Sequence, residues 1–213
     1  MPDAARPSAA STGPTLRDRR IMLWVLLGAC VGGAALIWML WVLPVASSVA
    51  DAAPVPLGEI SVVDAAAGES VGVWASGPAA LLGLAECTGT DAAGHDVPLF
   101  AGATPDWDDV LWWMTPRDGF RQVLRAVPAA PGEVEIVCVS AMDAYEGQFL
   151  LAGDSFGAGS VGLGRGGNVD YPVGTLLALG AVTLPLFSVL LLVVLIVQTL
   201  VSRGRRIRTR GRA

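Results

Sequence analysis

Two long uncharged apolar runs bracket an acidic middle, and no other feature limits this chain so strongly. Residues 21–43 read IMLWVLLGACVGGAALIWMLWVL, and no charge occurs from position 21 to position 50. Residues 171–202 are also uncharged, with a dense apolar core at 176–201. A helix needs about 20 such residues to cross a bilayer. In hydrocarbon a helix satisfies its own backbone polar groups, which otherwise only a closed barrel does. The two runs therefore predict transmembrane helices at 21–45 and 173–201.

Charge gives the direction. Four Arg and two Asp precede residue 21, and six Arg with no acid follow residue 201. Between 51 and 170 there are 17 acidic residues against four Arg. Basic residues close to span ends stay in the cytoplasm, while acidic ones count little. Both tails, 1–20 and 202–213, are expected inside the cell, with the central domain outside and the protein a two-span resident of the cell membrane. Trp24, Trp38, Trp41 and Tyr171 lie near span ends, where their amphipathic rings favour the headgroup layer.

Ser48-Val49-Ala50 has the small-x-small pattern of a signal-peptidase site. The apolar core before it is 23 residues, longer than the roughly 7–15 of a signal peptide, so an uncleaved anchor is expected. Cleavage after Ala50 stays open at this point. Gly28 and Gly32 form a GxxxG in the first span, and small residues four apart let another helix pack closely. The abundance of Gly and Ala makes such a motif common by chance; Gly174 and Ala178 repeat the spacing, so the two spans are equally candidates to pack on each other. Pro185 inside the second span predicts a kink. The arginine-rich end is explained by topology and lipid contact, and no nucleic-acid-binding motif accompanies it.

The region between the spans reads as β structure. Apolar residues alternate in 69–76, with Val71, Val73 and Ala75 on one face, and in 133–139, with Val134, Ile136 and Cys138 on one face. Period-two patterning marks half-buried strands. Further strands are expected at 85–90, 96–100, 120–127 and 148–152, with turns at 91–94 and 128–132. The fold class is therefore a membrane protein whose two helices flank an all-β, antiparallel sandwich-like domain over 46–152. Residues 153–172, which include GDSFGAGSVGLGRGG, read as a Gly-rich linker. A phosphate-binding loop would need a preceding strand, a following helix and usually a Lys, and the chain has no Lys.

Cys87 and Cys138 each fall in a predicted strand, whereas Cys30 lies in the first span. An oxidising outer compartment favours a disulfide between them, worth roughly 4 kcal/mol in the chain-entropy model. Free thiols or metal ligation are the alternatives, but two isolated Cys with a single His make a poor metal site.

Gly-Glu-Ser-Val-Gly-Val-Trp-Ala at 68–75, Glu-Cys-Thr at 86–88 and Pro-Gly-Glu-Val-Glu-Ile-Val-Cys at 131–138 resemble a recurrent pattern. It is similar to uncharacterised actinobacterial membrane proteins with a small, disulfide-bonded, immunoglobulin-like ectodomain. The likeness covers about 80 residues of the outer domain. The absence of Lys among 14 basic residues fits the GC-rich genomes of such organisms. The chain departs from true immunoglobulin domains in carrying Ile136 where a Tyr stands two residues before the second Cys, and in having no Trp shortly after Cys87. The resemblance implies a sandwich and no activity.

Among candidate sites, Trp107, Trp112 and Trp113 are the most distinctive. They suit an interaction patch, the domain's own core or contact with headgroups, the last two being expected ahead of a partner site. Asp106, Asp108 and Asp109 lack the further ligands and closing Glu of a calcium loop. His95 has no nucleophile in a recognisable motif nearby. No catalytic residue, metal site or cofactor is therefore assigned, and a non-enzymatic envelope protein is expected, its outer domain binding a protein partner or stabilising a membrane complex. An accessory subunit acting through its spans is the alternative, with an envelope enzyme of unrecognised site last. The oligomeric state is not legible.

Overall fold

The computed structural model describes residues 16–101, 107–114, 117–141, 146–156 and 173–210. The expected Gly-rich linker, apart from its first four residues, lies outside these, as do Asp106, Tyr171, residues 1–15 of the first tail and the last three residues of the second. The chain divides into two compact units, one of residues 33–184 and one of Met1–Gly32 with Pro185–Ala213.

Among the described residues of the first unit, eight strands form two antiparallel sheets: β1 (Val55–Pro56), β2 (Ile60–Ala65), β3 (Val71–Ser76), β4 (Ala85–Thr90), β5 (Leu99–Phe100), β6 (Phe120–Ala126), β7 (Gly132–Ser140) and β8 (Gln148–Gly153). The larger sheet has the order β1-β8-β3-β6-β5 and the smaller the order β2-β7-β4. Side chains from both meet in one core: Val71, Val73 and Ala75 from β3, Phe149 and Leu151 from β8, and Val134, Ile136 and Cys138 from β7. These include the two sets of alternating residues that the sequence places on one face each. The domain is thus a sandwich, and the Cys87–Cys138 disulfide is present. It joins directly paired residues of β4 and β7 within the smaller sheet, whereas the immunoglobulin pattern ties one sheet to the other.

β3 is buried on both faces, not one. Gly72 and Trp74 point away from the sandwich core, and Trp74 is fully buried in a second cluster with Trp41, Val42, Val45, Val49, Trp107, Leu111, Leu150, Ala178 and Ala181. The covering layer comes from the helices. Helix α1 (Leu16–Ile37) passes through a π-helical turn at Trp38–Val42 into α2 (Leu43–Asp51). Pro44 explains the wide turn: its ring crowds the carbonyl four residues back, and it has no N–H to offer there. The Leu43 N–H reaches the Trp38 carbonyl instead. The boundary read at residue 45 thus falls inside a helix whose end, from Trp41 to Val49, belongs to the core of the β domain. Arg117 closes that end, donating to the Ala52 and Ala50 carbonyls at 2.8 and 3.1 Å, where a helix leaves its last carbonyls unpaired.

Helix α5 (Val173–Arg210) runs as one helix through Pro185. The proline deprives the Ala181 carbonyl of its usual partner, and Trp38 Nε1 donates to that carbonyl at 3.0 Å. We expect Trp38→Phe to destabilise the protein, and the loss to shrink when Pro185→Ala restores the helical donor. Coupling of about 0.6–2 kcal/mol, in the range of hydrogen bonds between helices in lipid, would appear in a double-mutant cycle of unfolding in detergent. Additive effects would show that the indole bond carries no weight.

In the second unit, Arg20 Nη2 donates to Thr199 Oγ1 at 3.1 Å, and Thr199 Oγ1 donates to the Leu195 carbonyl at 2.7 Å. Two helical stretches, Asp18–Asp51 and Val173–Ser202, are long and apolar enough to cross a membrane. Only 6% and 17% of their most apolar windows are buried, unlike a core helix of a soluble protein.

Candidate interaction surface

The smaller sheet turns its inner face to the core and its outer face to solvent. Alternation along β7 sends Val134, Ile136 and Cys138 inward, leaving Glu133, Glu135, Val137 and Val139 outward. Register then builds the outer face row by row. Ile60 and Thr88 flank Val137, Val62 and Thr90 flank Glu135, Asp64 faces Glu133, and Glu86 faces Val139. Ile60 and Val62 are 62% and 52% exposed, and Val139 is 45% exposed. Large aliphatic residues sit here in water among carboxylates. Asp64 and Glu133 are directly opposed like charges, which destabilise a sheet. A shallow hollow of about 220 Å³ lies on this face between Ile60, Thr88, Thr90, Asp96, Glu135 and Val137. Of the described arginines between the helices, Arg121 and Arg125 belong to β6 in the other sheet and Arg117 caps α2.

No protein-family model, curated protein or solved structure matches this chain.

The three tryptophans singled out in the sequence part company. Trp107, on the short helix α4 (Trp107–Val110; α3 is Pro78–Leu81), is fully buried. Its ring stands edge-on to Trp41 at 5.1 Å and to Trp74 at 6.4 Å. Trp112 and Trp113, on the following 3-10 turn, are 70% and 49% exposed and meet edge-on at 5.7 Å. Gly28 and Gly32 lie on an open helix face: a Cβ built on either meets nothing within 4 Å. The face one step on differs, since a Cβ at Gly33 would meet Leu184 at 3.2 Å. Among the described residues no three His, Cys, Asp or Glu side chains gather as metal ligands.

A buried polar network escaped the sequence reading. Gln122 Nε2 donates to Asp154 Oδ1 at 2.8 Å, while Gln122 Oε1 accepts from the Ser155 N–H and hydroxyl, each at 2.7 Å. Phe156 N–H donates to Asp154 Oδ1 at 2.9 Å, and Arg125 Nη1 lies 3.8 Å from Asp154 Oδ2. The Gly174 N–H donates in turn to the Phe156 carbonyl at 3.2 Å. The network therefore fixes the point where the chain leaves β8 and where α5 begins.

His95 lies in the turn after β4, with its side chain 71% exposed. The turn is ordered by Asp91, whose Oδ1 accepts from the His95 N–H at 2.9 Å and the Ala93 N–H at 3.0 Å. Chiefly the His95 N–H, then that of Ala93, hold the Asp91 carboxyl below the ordinary carboxylate value against the opposing effect of burial. A depressed folded pKa gives stability that is present above the unfolded value, about 3.9, and lost as pH falls through the folded one. Asp91→Ala should lower the unfolding temperature at pH 7. Asp91→Asn should flatten the loss of stability below about pH 4, read by thermal scans across pH.

Proposed function

We propose that this chain is a non-enzymatic integral membrane protein of the cell envelope, crossing the membrane twice with both termini in the cytoplasm. In this reading the outer domain recognises a protein partner through the open face of its smaller sheet. The observation that carries it is the surface of exposed Ile60, Val62 and Val139 with half-buried Val137, set among Asp64, Glu86, Glu133 and Glu135. Opposed carboxylates beside exposed aliphatics suit a partner that brings cationic and apolar groups together, because it would relieve the repulsion as it covers the apolar area. Support for the topology comes from two sparsely buried apolar helices and from the arginines at their cytoplasmic ends. Trp41, Val42, Val45 and Val49 cover β3, which supports an outer domain whose core is completed by helix residues.

A photo-crosslinking residue at Val62 of the full-length chain, in native membranes, tests this reading. One defined adduct is expected, lost on Asp64→Lys with Glu133→Lys. A folded protein without an adduct at Val62 would overturn it.

The open Gly28/Gly32 face favours a second reading, an accessory subunit that associates through its first helix. Gly28→Leu with Gly32→Leu should then abolish an adduct formed from the span while leaving the Val62 adduct intact.

A further inference from the structure

We infer that Trp112 and Trp113 form a membrane anchor that seats the β domain on the outer leaflet through its phospholipid headgroup layer. This rests on the two-span reading above.

The pair sits on a turn that cannot swing freely. Leu111 N–H bonds the Trp107 carbonyl at 2.6 Å and Met114 N–H bonds the Leu111 carbonyl at 2.7 Å. Trp107 and Leu111 are fully buried, and Met114 packs against the same cluster. The two rings between Leu111 and Met114 are thus the part of the turn left outside. The cluster that pins the turn contains Trp41 and Val42 of the first helix and Ala178 and Ala181 of α5, with Ile37, Trp38 and Val182 at its margin.

That level along the helices is where a bilayer would end. Counting about 20 residues from Ile21, the first residue past the cytoplasmic arginines, reaches Leu40. Met39, Leu40 and Leu43 are exposed, while Trp41, Val42 and Val45 are covered by the domain. One side of the helix at this height is open to lipid and the other is seated on protein. An exposed tryptophan pair beside this height meets the headgroup layer, where the ring body finds acyl carbon and the indole N–H finds carbonyl and phosphate oxygens. Asp109 is exposed one turn earlier, so the anchor draws on interfacial burial and not on anionic lipid.

The test uses the purified full chain in nanodiscs of zwitterionic phosphatidylcholine, with or without bromine near the headgroup end of the acyl chains. Wild type is compared with Trp112→Phe/Trp113→Phe and with Trp24→Phe; both variants change only exposed rings, and unchanged near-ultraviolet dichroism checks the fold. The emission component missing from the double variant is expected to be at least halved by bromolipid and barely touched by aqueous iodide. If iodide quenches that component and bromolipid does not, the anchor is overturned. The component missing from Trp24→Phe reports the span itself: its failure to respond to a lipid brominated deep in the chain would overturn the two-span reading instead.

Discussion

Expressed without its helices, as residues 51–156, the outer domain should fail to reach its native packing even with the Cys87–Cys138 disulfide formed. The fragment lacks Trp41, Val42, Val45 and Val49, each nearly or fully buried, together with Ala178 and Ala181. It exposes what they cover: Trp74, Trp107, Leu111 and Leu150. Burying one large apolar side chain contributes about 1.5–3 kcal/mol, so losing several such contacts removes an amount comparable to the roughly 5–15 kcal/mol of a whole domain. Polar partners go as well, since Gly153 N–H donates to Ser48 Oγ at 2.8 Å and Arg117 donates to the Ala50 carbonyl at 3.1 Å. The fragment should keep β-type dichroism, lose its near-ultraviolet signal and bind a hydrophobic dye. A cooperative transition with dispersed amide resonances would refute this. The same contacts bear on cleavage after Ala50. A cut there would strip the helix from the face of β3, so the intact mass of the protein from membranes is expected to include the first span.

The division of labour between domain and helix also explains what the sequence made visible. β7 was legible because Val134, Ile136 and Cys138 alternate with residues that stay in water. β4 was legible for its bounds, and the pairing of Cys87 with Cys138 followed from two strands and an oxidising compartment. β2 was not resolved as a strand, because its outward residues Ile60 and Val62 are as apolar as its inward Val63, and the period-two signal cancels. The strand expected at 96–100 shrank to Leu99–Phe100 since Pro98 has no N–H to pair. The candidate patch divided because hydrophobicity alone cannot tell a tryptophan that faces another layer from one that faces outward. Nothing in a window around Trp107 encodes that Trp41, within a π turn set by Pro44, arrives to cover it. The Gln122–Asp154 network was invisible for the same reason, as its members lie 32 residues apart and only the β6–β3–β8 register brings them together.

Within the tryptophan cluster, Trp107→Ala is expected to cost about 3–5 kcal/mol, whereas Trp107→Phe should cost far less. The difference lies in the indole nitrogens. Trp107 Nε1 is buried with no hydrogen-bond partner among the described residues, as is also true of Trp41 Nε1. An unpaired buried donor already costs about 1–3 kcal/mol, so phenylalanine removes a liability while it leaves a smaller void than alanine. It also preserves an aromatic edge for Trp41 at 5.1 Å and Trp74 at 6.4 Å, contacts worth about 0.5–1.5 kcal/mol beyond area. Trp74 is the opposite case. Its Nε1 donates to the Gly153 carbonyl at 3.0 Å, and the site is built closely around it: a Cβ on Gly72 would come within 2.8 Å of that nitrogen and 2.6 Å of the carbonyl oxygen. Trp74→Phe therefore breaks a made bond and strands an acceptor beside Gly72, and it should destabilise more than Trp107→Phe. Thermal unfolding of the full chain in one detergent should rank wild type first, then Trp107→Phe, then Trp74→Phe, with Trp107→Ala well below. If Trp107→Phe fell level with Trp107→Ala, ring volume alone would decide the cluster, and the unpaired nitrogen would be no part of its energetics.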